Sequence, residues 1–138
     1  MQTTDLAAVT RLAGELGYPQ TEEEIGGRFS GLKGDEDHAL MVAEREGTVV
    51  GWVHVHGSGA LVAPPRAEIG GLVVAESETR TGVGRLLLAE AERWARARGL
   101  GGIRVRSNVI REGAHRFYEA MGYHTLKTSY VFEKDLER

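Results

Sequence analysis

Val74-Ala-Glu-Ser-Glu-Thr-Arg-Thr-Gly-Val-Gly-Arg85 leaves an apolar segment and opens the most regular helical stripe of the chain. Val83, Leu86, Leu87, Ala91, Trp94 and Ala95 recur at intervals of three and four, the spacing that lines one face of a helix. Glu92 and Arg96 pair on its polar side, and Gly99 ends it. A helix start carries unpaired amide donors and a partial positive charge, so it can hold phosphate. Gly82 and Gly84 let the backbone approach an anion with no Cβ in the way, and Arg80 and Arg85 add charge. A plain strand-to-helix turn is the alternative. Neither of two well-known phosphate loops fits, since the third glycine of G-x-G-x-x-G and the Gly-Lys-Ser/Thr of a P-loop are both missing.

Upstream, Leu6, Val9, Leu12, Ala13 and Leu16 predict a first helix, with Thr4 as its cap and Gly17 as its stop. Tyr18-Pro19 breaks the chain. Thr21 and Glu24 form a capping box for a second helix with Ile25, Phe29 and Leu32 on one face. Ala39 to Arg45 and Thr48 to His56 predict a hairpin turning at Glu46-Gly47. Gly57 to Pro65 reads as a loop, and Arg66 to Val74 as a strand with a bulge or a close backbone approach at Gly70-Gly71. Downstream come a short strand, Ile103 to Ser107, then a helix from Glu112 to Met121 stopped by Gly122. One or two closing strands follow within Tyr123 to Lys134. A hairpin followed by strand–helix–strand crossovers implies an α/β (α+β) chain with a mixed sheet covered by helices.

The 138 residues fit one domain, 1–138, around one core. A net charge of −3 gives no reason to expect nucleic acid or an anionic membrane as partner. The absence of cysteine removes disulfides, thiolate nucleophiles and sulfur-based zinc sites. No apolar run approaches the roughly 20 residues that span a bilayer, and Met1-Gln-Thr-Thr-Asp has no signal-peptide character. The expectation is a cytoplasmic protein.

The segment from Thr79 to Arg85 resembles the pyrophosphate loop of the GNAT acetyltransferase superfamily, Gln/Arg-x-x-Gly-x-Gly/Ala. Gly82 and Gly84 fill the small positions; Thr79 departs at the first, with Arg80 one residue later. Arg111-Glu-Gly-Ala-His-Arg-Phe-Tyr-Glu-Ala-Met-Gly-Tyr123 is similar to the family's second signature, Ala-x-x-x-Tyr-x-x-x-Gly-Phe/Tyr, through Ala114, Tyr118, Gly122 and Tyr123. Asn108 ends the strand before it. The resemblance implies a mixed, mostly antiparallel central sheet flanked by about four helices. It also implies a first strand that is short or missing here, because Met1 to Thr3 leaves little room for one.

It further implies acetyl-CoA as co-substrate and transfer of its acetyl group to a primary amine of a small molecule or peptide. The alternative is a non-catalytic acetyl-CoA-binding module or sensor. Such transfer needs a neutral amine, a stabilised oxyanion and a proton for the leaving thiolate. The resemblance gives Thr79, Arg80, Thr81, Gly82, Val83, Gly84, Arg85, Asn108 and Ala114 to the cofactor. Backbone amides of Leu72, Val73 and Val74 would receive pantetheine and the thioester oxygen. Tyr118 would be the acid, since a phenol with an ordinary pKa near 10 is protonated at neutral pH. Glu68 would be the base, directly or through water; an exposed strand-end carboxylate is the other reading.

His54 and His56 alternate with Val53 and Val55 and therefore share one strand face, where either could accept a proton. Two histidines with no evident third ligand do not make a metal site, so none is expected. Tyr18, Trp52, His54 and His56 would line the acceptor pocket. A homodimer is compatible with the resemblance.

Overall fold

Thr21 Oγ1 accepts from the Glu24 amide at 3.0 Å while Glu24 Oε1 accepts from the Thr21 amide at 2.9 Å, so the expected capping box starts a helix. That helix is α2 (Glu22–Leu32), preceded by α1 (Leu6–Glu15). Both belong to a computed structural model that describes residues 1–78, 80–107 and 111–136. These fall into two compact units, Met1–Val105 and Arg106–Arg138.

The first unit begins with a short 3-10 turn, Thr3–Asp5, not with a strand. The Gln2–Asp5 pair caps that turn, and α1 continues from it with no side-chain cap from Thr4. The Met1 ammonium donates to the Leu40 carbonyl at 3.1 Å.

Strand β1 (His38–Arg45) turns at Glu46 and Gly47, both at positive φ, into β2 (Thr48–Ala60). Two such central residues match the twist of a hairpin. β2 turns again into β3 (Ala63–Val74), pairing as far as Ala60 with Ala63. The expected loop from Gly57 to Pro65 is therefore corrected to the far end of a second hairpin. Its glycines and prolines imitate a loop signal. Pro64 and Pro65 sit where β3 has a strand partner on one side only, so their missing donors cost the ladder little.

Helix α3 (Val83–Ala97) then crosses to β4 (Ile103–Val105), which pairs parallel with β3. The sheet order is β1-β2-β3-β4, mixed and mostly antiparallel.

Each face of the sheet has its own cover. A Cβ on Gly51 would meet Val83 and Leu87 of α3, so Gly51, Val53 and Val55 face that helix. Val53, Val55 and Leu88 are fully buried, and burial of each such side chain contributes about 1.5–3 kcal/mol. The alternate residues of β2, Trp52, His54 and His56, face the other way. Phe29 and Leu32 of α2 lie beside His38 and Leu40 of β1 on that second face. Helix α1 turns Val9, Leu12 and Ala13 inward and packs on β2 and β3.

The second unit contains helix α4 (Glu112–Ala120), ended by Gly122 at φ +92°. Among the described residues no strand follows it, which corrects the closing strands expected within Tyr123 to Lys134. Tyr130, Val131 and Phe132 have strong strand propensity, yet they are exposed and find no ladder. Propensity yields where no neighbouring backbone pairs.

Candidate functional site

The start of α3 has the features the loop needs. Gly82 is its N-cap at φ +93°, with no side-chain cap, and Leu86 is the first residue whose amide reaches back to the Gly82 carbonyl (3.0 Å). The amides of Val83, Gly84 and Arg85 therefore belong to the unpaired first turn. Space around Gly82 is open: a Cβ there meets nothing within 4 Å. Arg80 holds a left-handed φ of 71°, and Thr81 Oγ1 donates to the Glu78 carbonyl at 2.6 Å, which tightens the loop. Arg80, Thr81 and Arg85 are exposed, and among the described residues neither arginine is in an ion pair. Thr79 lies outside the described residues.

Beside this loop runs a sheet edge that has no strand partner among the described residues. β4 pairs with β3 only at Ala67, Glu68 and Ile69. Beyond Ile69 the register with β2 slips by one, so Gly70 and Gly71 together oppose His54. This is the expected bulge. The Ala75 amide donates to the Val50 carbonyl at 2.8 Å, which sets the alternation of the strand end. It turns the Val73 amide toward β2 and leaves those of Leu72 and Val74 on the edge that β4 has left. Two of the three expected amides thus stand where a ligand could pair with them.

The glycines at the bulge answer to side chains, not to another backbone. A Cβ on Gly70 would stand 2.8 Å from His54 Nδ1, and one on Gly71 would stand 2.8 Å from the Trp52 ring. Trp52 is half-buried, and its Nε1 is buried with no hydrogen-bond partner.

A row of ionisable residues crosses the sheet on this face: His38 opposes His56, His56 opposes Glu68, and Glu68 opposes Arg104. His38 Nδ1 and His54 Nε2 are 2.9 Å apart. The rings of His38, His54 and His56 lie 5.2–5.3 Å apart, centroid to centroid. His56 Nδ1 is 3.0 Å from the Gly57 carbonyl. A carbonyl only accepts, so in the neutral ring Nδ1 carries the proton and Nε2 is bare. Burial, then the neighbouring His56 and His38, push His54 down to about 4. Among the described residues no group of three or more His, Asp or Glu side chains could hold a metal ion.

Sequence reasoning placed His54 and His56 and missed His38. Tyr18 is 53% exposed beyond the end of α1, apart from the histidine cluster by any bond or ring contact.

In the second unit, Tyr118 is half-buried on α4. Its ring meets Phe117 edge-on at 5.3 Å and Tyr123 at 5.8 Å. Burial raises its pKa, only partly offset by the Arg111 charge, so the phenol keeps its proton at neutral pH. Ala114 is half-buried on the same helix. Asn108 lies outside the described residues.

The acetyltransferase (GNAT) family matches this chain over residues 6–123. The chain belongs to that family. Among GNAT relatives, the uncharacterized N-acetyltransferase YhdJ of Bacillus subtilis (strain 168) is 46% identical over 54 residues, 38% of this chain and 37% of that protein. The chain thus matches little more than a third of that relative's length.

Among solved structures, a transcriptional regulator from Bacillus halodurans C-125 is similar at 25% identity and TM-score 0.85, over 97% of this chain and 96% of that one. The aminoglycoside N-acetyltransferase AAC(6')-Iy in complex with CoA is 17% identical with TM-score 0.89, over 99% and 92%. At that identity the likeness is one of fold. No helix among the described residues is long and apolar enough to cross a membrane.

Proposed function

We propose that this protein is an acetyl-CoA-dependent N-acetyltransferase that acts by direct transfer onto a primary amine of a small molecule or peptide. The observation that carries this reading is that two donor sets lie side by side with no backbone partner among the described residues: the first turn of α3 and the β3 edge at Leu72 and Val74. The open space at Gly82 and the exposed charges of Arg80 and Arg85 suit a pyrophosphate, which needs close backbone approach and positive charge. An extended amide chain suits the β3 edge, where it can add as a strand would.

Acetyl-CoA supplies the acetyl group as a thioester. The Leu72 or Val74 amide polarises the carbonyl where negative charge develops. Asn108 and Ala114 complete the cofactor set. Tyr118 gives its proton to the departing sulfur, a role that its burial-raised pKa supports. Glu68, on the same sheet face as His56 and short of the bulge, draws the amine proton through water. Trp52, His54 and His56 line the acceptor side, with Tyr18 at its rim.

The likeness to a transcriptional regulator favours a second reading, a non-catalytic acetyl-CoA-binding module. Calorimetric titration with acetyl-CoA, using dephospho-CoA and ATP as comparators, tests both. Selective binding followed by thiol release with any amine supports the enzyme. Selective binding with no amine acetylated supports the sensor. No binding in the series overturns both readings.

A further inference from the structure

Acetylation of an ammonium group forms one N–C bond, breaks one C–S bond and removes two protons from nitrogen. One of those protons ends on sulfur. The other has to leave the site, and the second face of the sheet offers it a path.

His54 presents one nitrogen to each side. Nδ1 faces the Gly70 bulge, 2.8 Å from where a Cβ would stand, and Nε2 is 2.9 Å from His38 Nδ1. His38 in turn borders a surface depression of about 140 Å³ that it shares with Phe29, Leu32 and Lys33 of α2 and with Leu40. The hydrogen-bonded imidazole pair therefore connects the bulge of β3 to a second opening beside α2.

We propose that His54 and His38 form a proton exit for the acceptor site. This rests on the acetyl-transfer reading above. A proton leaving the ammonium, by way of the water that Glu68 polarises, bonds to His54 Nδ1. The His54 Nε2–H proton passes to His38 Nδ1, and the His38 Nε2–H proton passes to water in the depression. One proton enters and one leaves, and both rings end in the opposite tautomer. Once the acetylated product has left and the acceptor side is open to water, the reverse shift resets them and its proton passes from His54 Nδ1 to bulk water.

The pair acts in a concerted way, because burial and the adjacent His56 and His38 disfavour a charge on His54. Among the described residues, the other charged and titratable groups on this face include Arg45 of β1, His56 of β2, Arg66 and Glu68 of β3, Arg104 of β4, Lys33 at the end of α2 and the Met1 ammonium. Helix α1 presents apolar Val9, Leu12 and Ala13. In this role His38 is a positioning residue, since it acts through His54.

The test has two arms. On the free protein, 15N imidazole spectra report the resting tautomers. The relay requires His54 and His38 both protonated at Nε2, with His54 Nδ1 bare; a His54 protonated at Nδ1 at rest overturns it, whatever the activity.

In the second arm, His38→Ala is assayed for amine acetylation between pH 6 and 9, with and without free imidazole, alongside acetyl-CoA affinity. The expected result is at least a tenfold loss of kcat, unchanged cofactor affinity and partial recovery with imidazole, which a purely structural loss would not show. Full activity of His38→Ala overturns the relay and leaves the transferase reading intact. A wild-type protein that binds acetyl-CoA and acetylates no amine overturns the transferase reading, and the relay with it. Because the tautomers are read on the wild type, poor folding of the variant does not decide the outcome.

Discussion

His54 lies across Gly70, with Nδ1 2.8 Å from the point that a Cβ on that glycine would occupy. The imidazole is held from its other side by His38 at 2.9 Å, so it has little freedom to move aside. The bulge that parts β3 from β4 is thus occupied on one face by a ring from β2, and the glycine is the residue that admits it.

Gly70→Ala is therefore expected to displace the ring and break the His38–His54 contact. The cost should resemble other overpacking changes, about 1–3 kcal/mol. Urea denaturation at neutral pH measures it. An unchanged midpoint would mean that the ring swings away freely and is not held by His38.

At the start of α3, Gly82→Asp places a side chain at φ +93°, a conformation most residues adopt only with strain of about 1–2 kcal/mol. The space is open, so the fold should survive. Charge at this position opposes a pyrophosphate, and acetyl-CoA affinity should fall by roughly a hundredfold or more, about 2.7 kcal/mol. Calorimetry reads the affinity directly; wild-type binding would take the loop out of the cofactor site.

Tyr118→Phe removes a phenol that burial keeps protonated. If that proton goes to the leaving sulfur, kcat should drop by roughly a hundredfold while acetyl-CoA affinity holds. Steady-state rates and a binding titration on the same preparation separate the two. Equal rates would leave Tyr118 a packing residue against Phe117 and Tyr123.

His54 also gives the fold a pH dependence with a definite sign. Its pKa is held down to about 4 from an ordinary 6.5. Between those values the unfolded chain binds a proton that the folded chain refuses. The part of the stability that depends on a neutral His54 is therefore fully present above about 6.5 and is progressively lost toward about 4. Urea midpoints of wild type and His54→Asn, compared from pH 4 to 7, should show a shallower acid slope in the variant. Parallel slopes would show that the ring is hydrated in the folded state.

Much of this architecture was legible along the chain because its signals are local. The Thr21–Glu24 box, the Glu46-Gly47 turn, the stripe of α3 and the Gly70-Gly71 bulge each depend on residues within a few positions of one another. The misses share the opposite property. Gly57 to Pro65 has a loop's composition, but Ala60 and Ala63 are joined by a ladder. Tyr130-Val131-Phe132 has a strand's composition and no ladder among the described residues. In both cases pairing decided, not propensity.

The candidate site divides along the same line. Sequence by itself determined the glycine turn at Gly82 and Gly84 that opens α3, the family signature around Tyr118, and the shared face of His54 and His56, since a period of two puts alternate residues together. Only the tertiary structure brought in His38. Pairing counted back from Arg45 and Thr48 without interruption would set His38 against Val55, on the face that α3 covers. The register shift between Ala43 and Glu44 sets it against His56 instead. A slip of one residue moves a side chain through the sheet. Where that slip falls depends on how two strands and the helices on either face pack together, and no local pattern of residues records it.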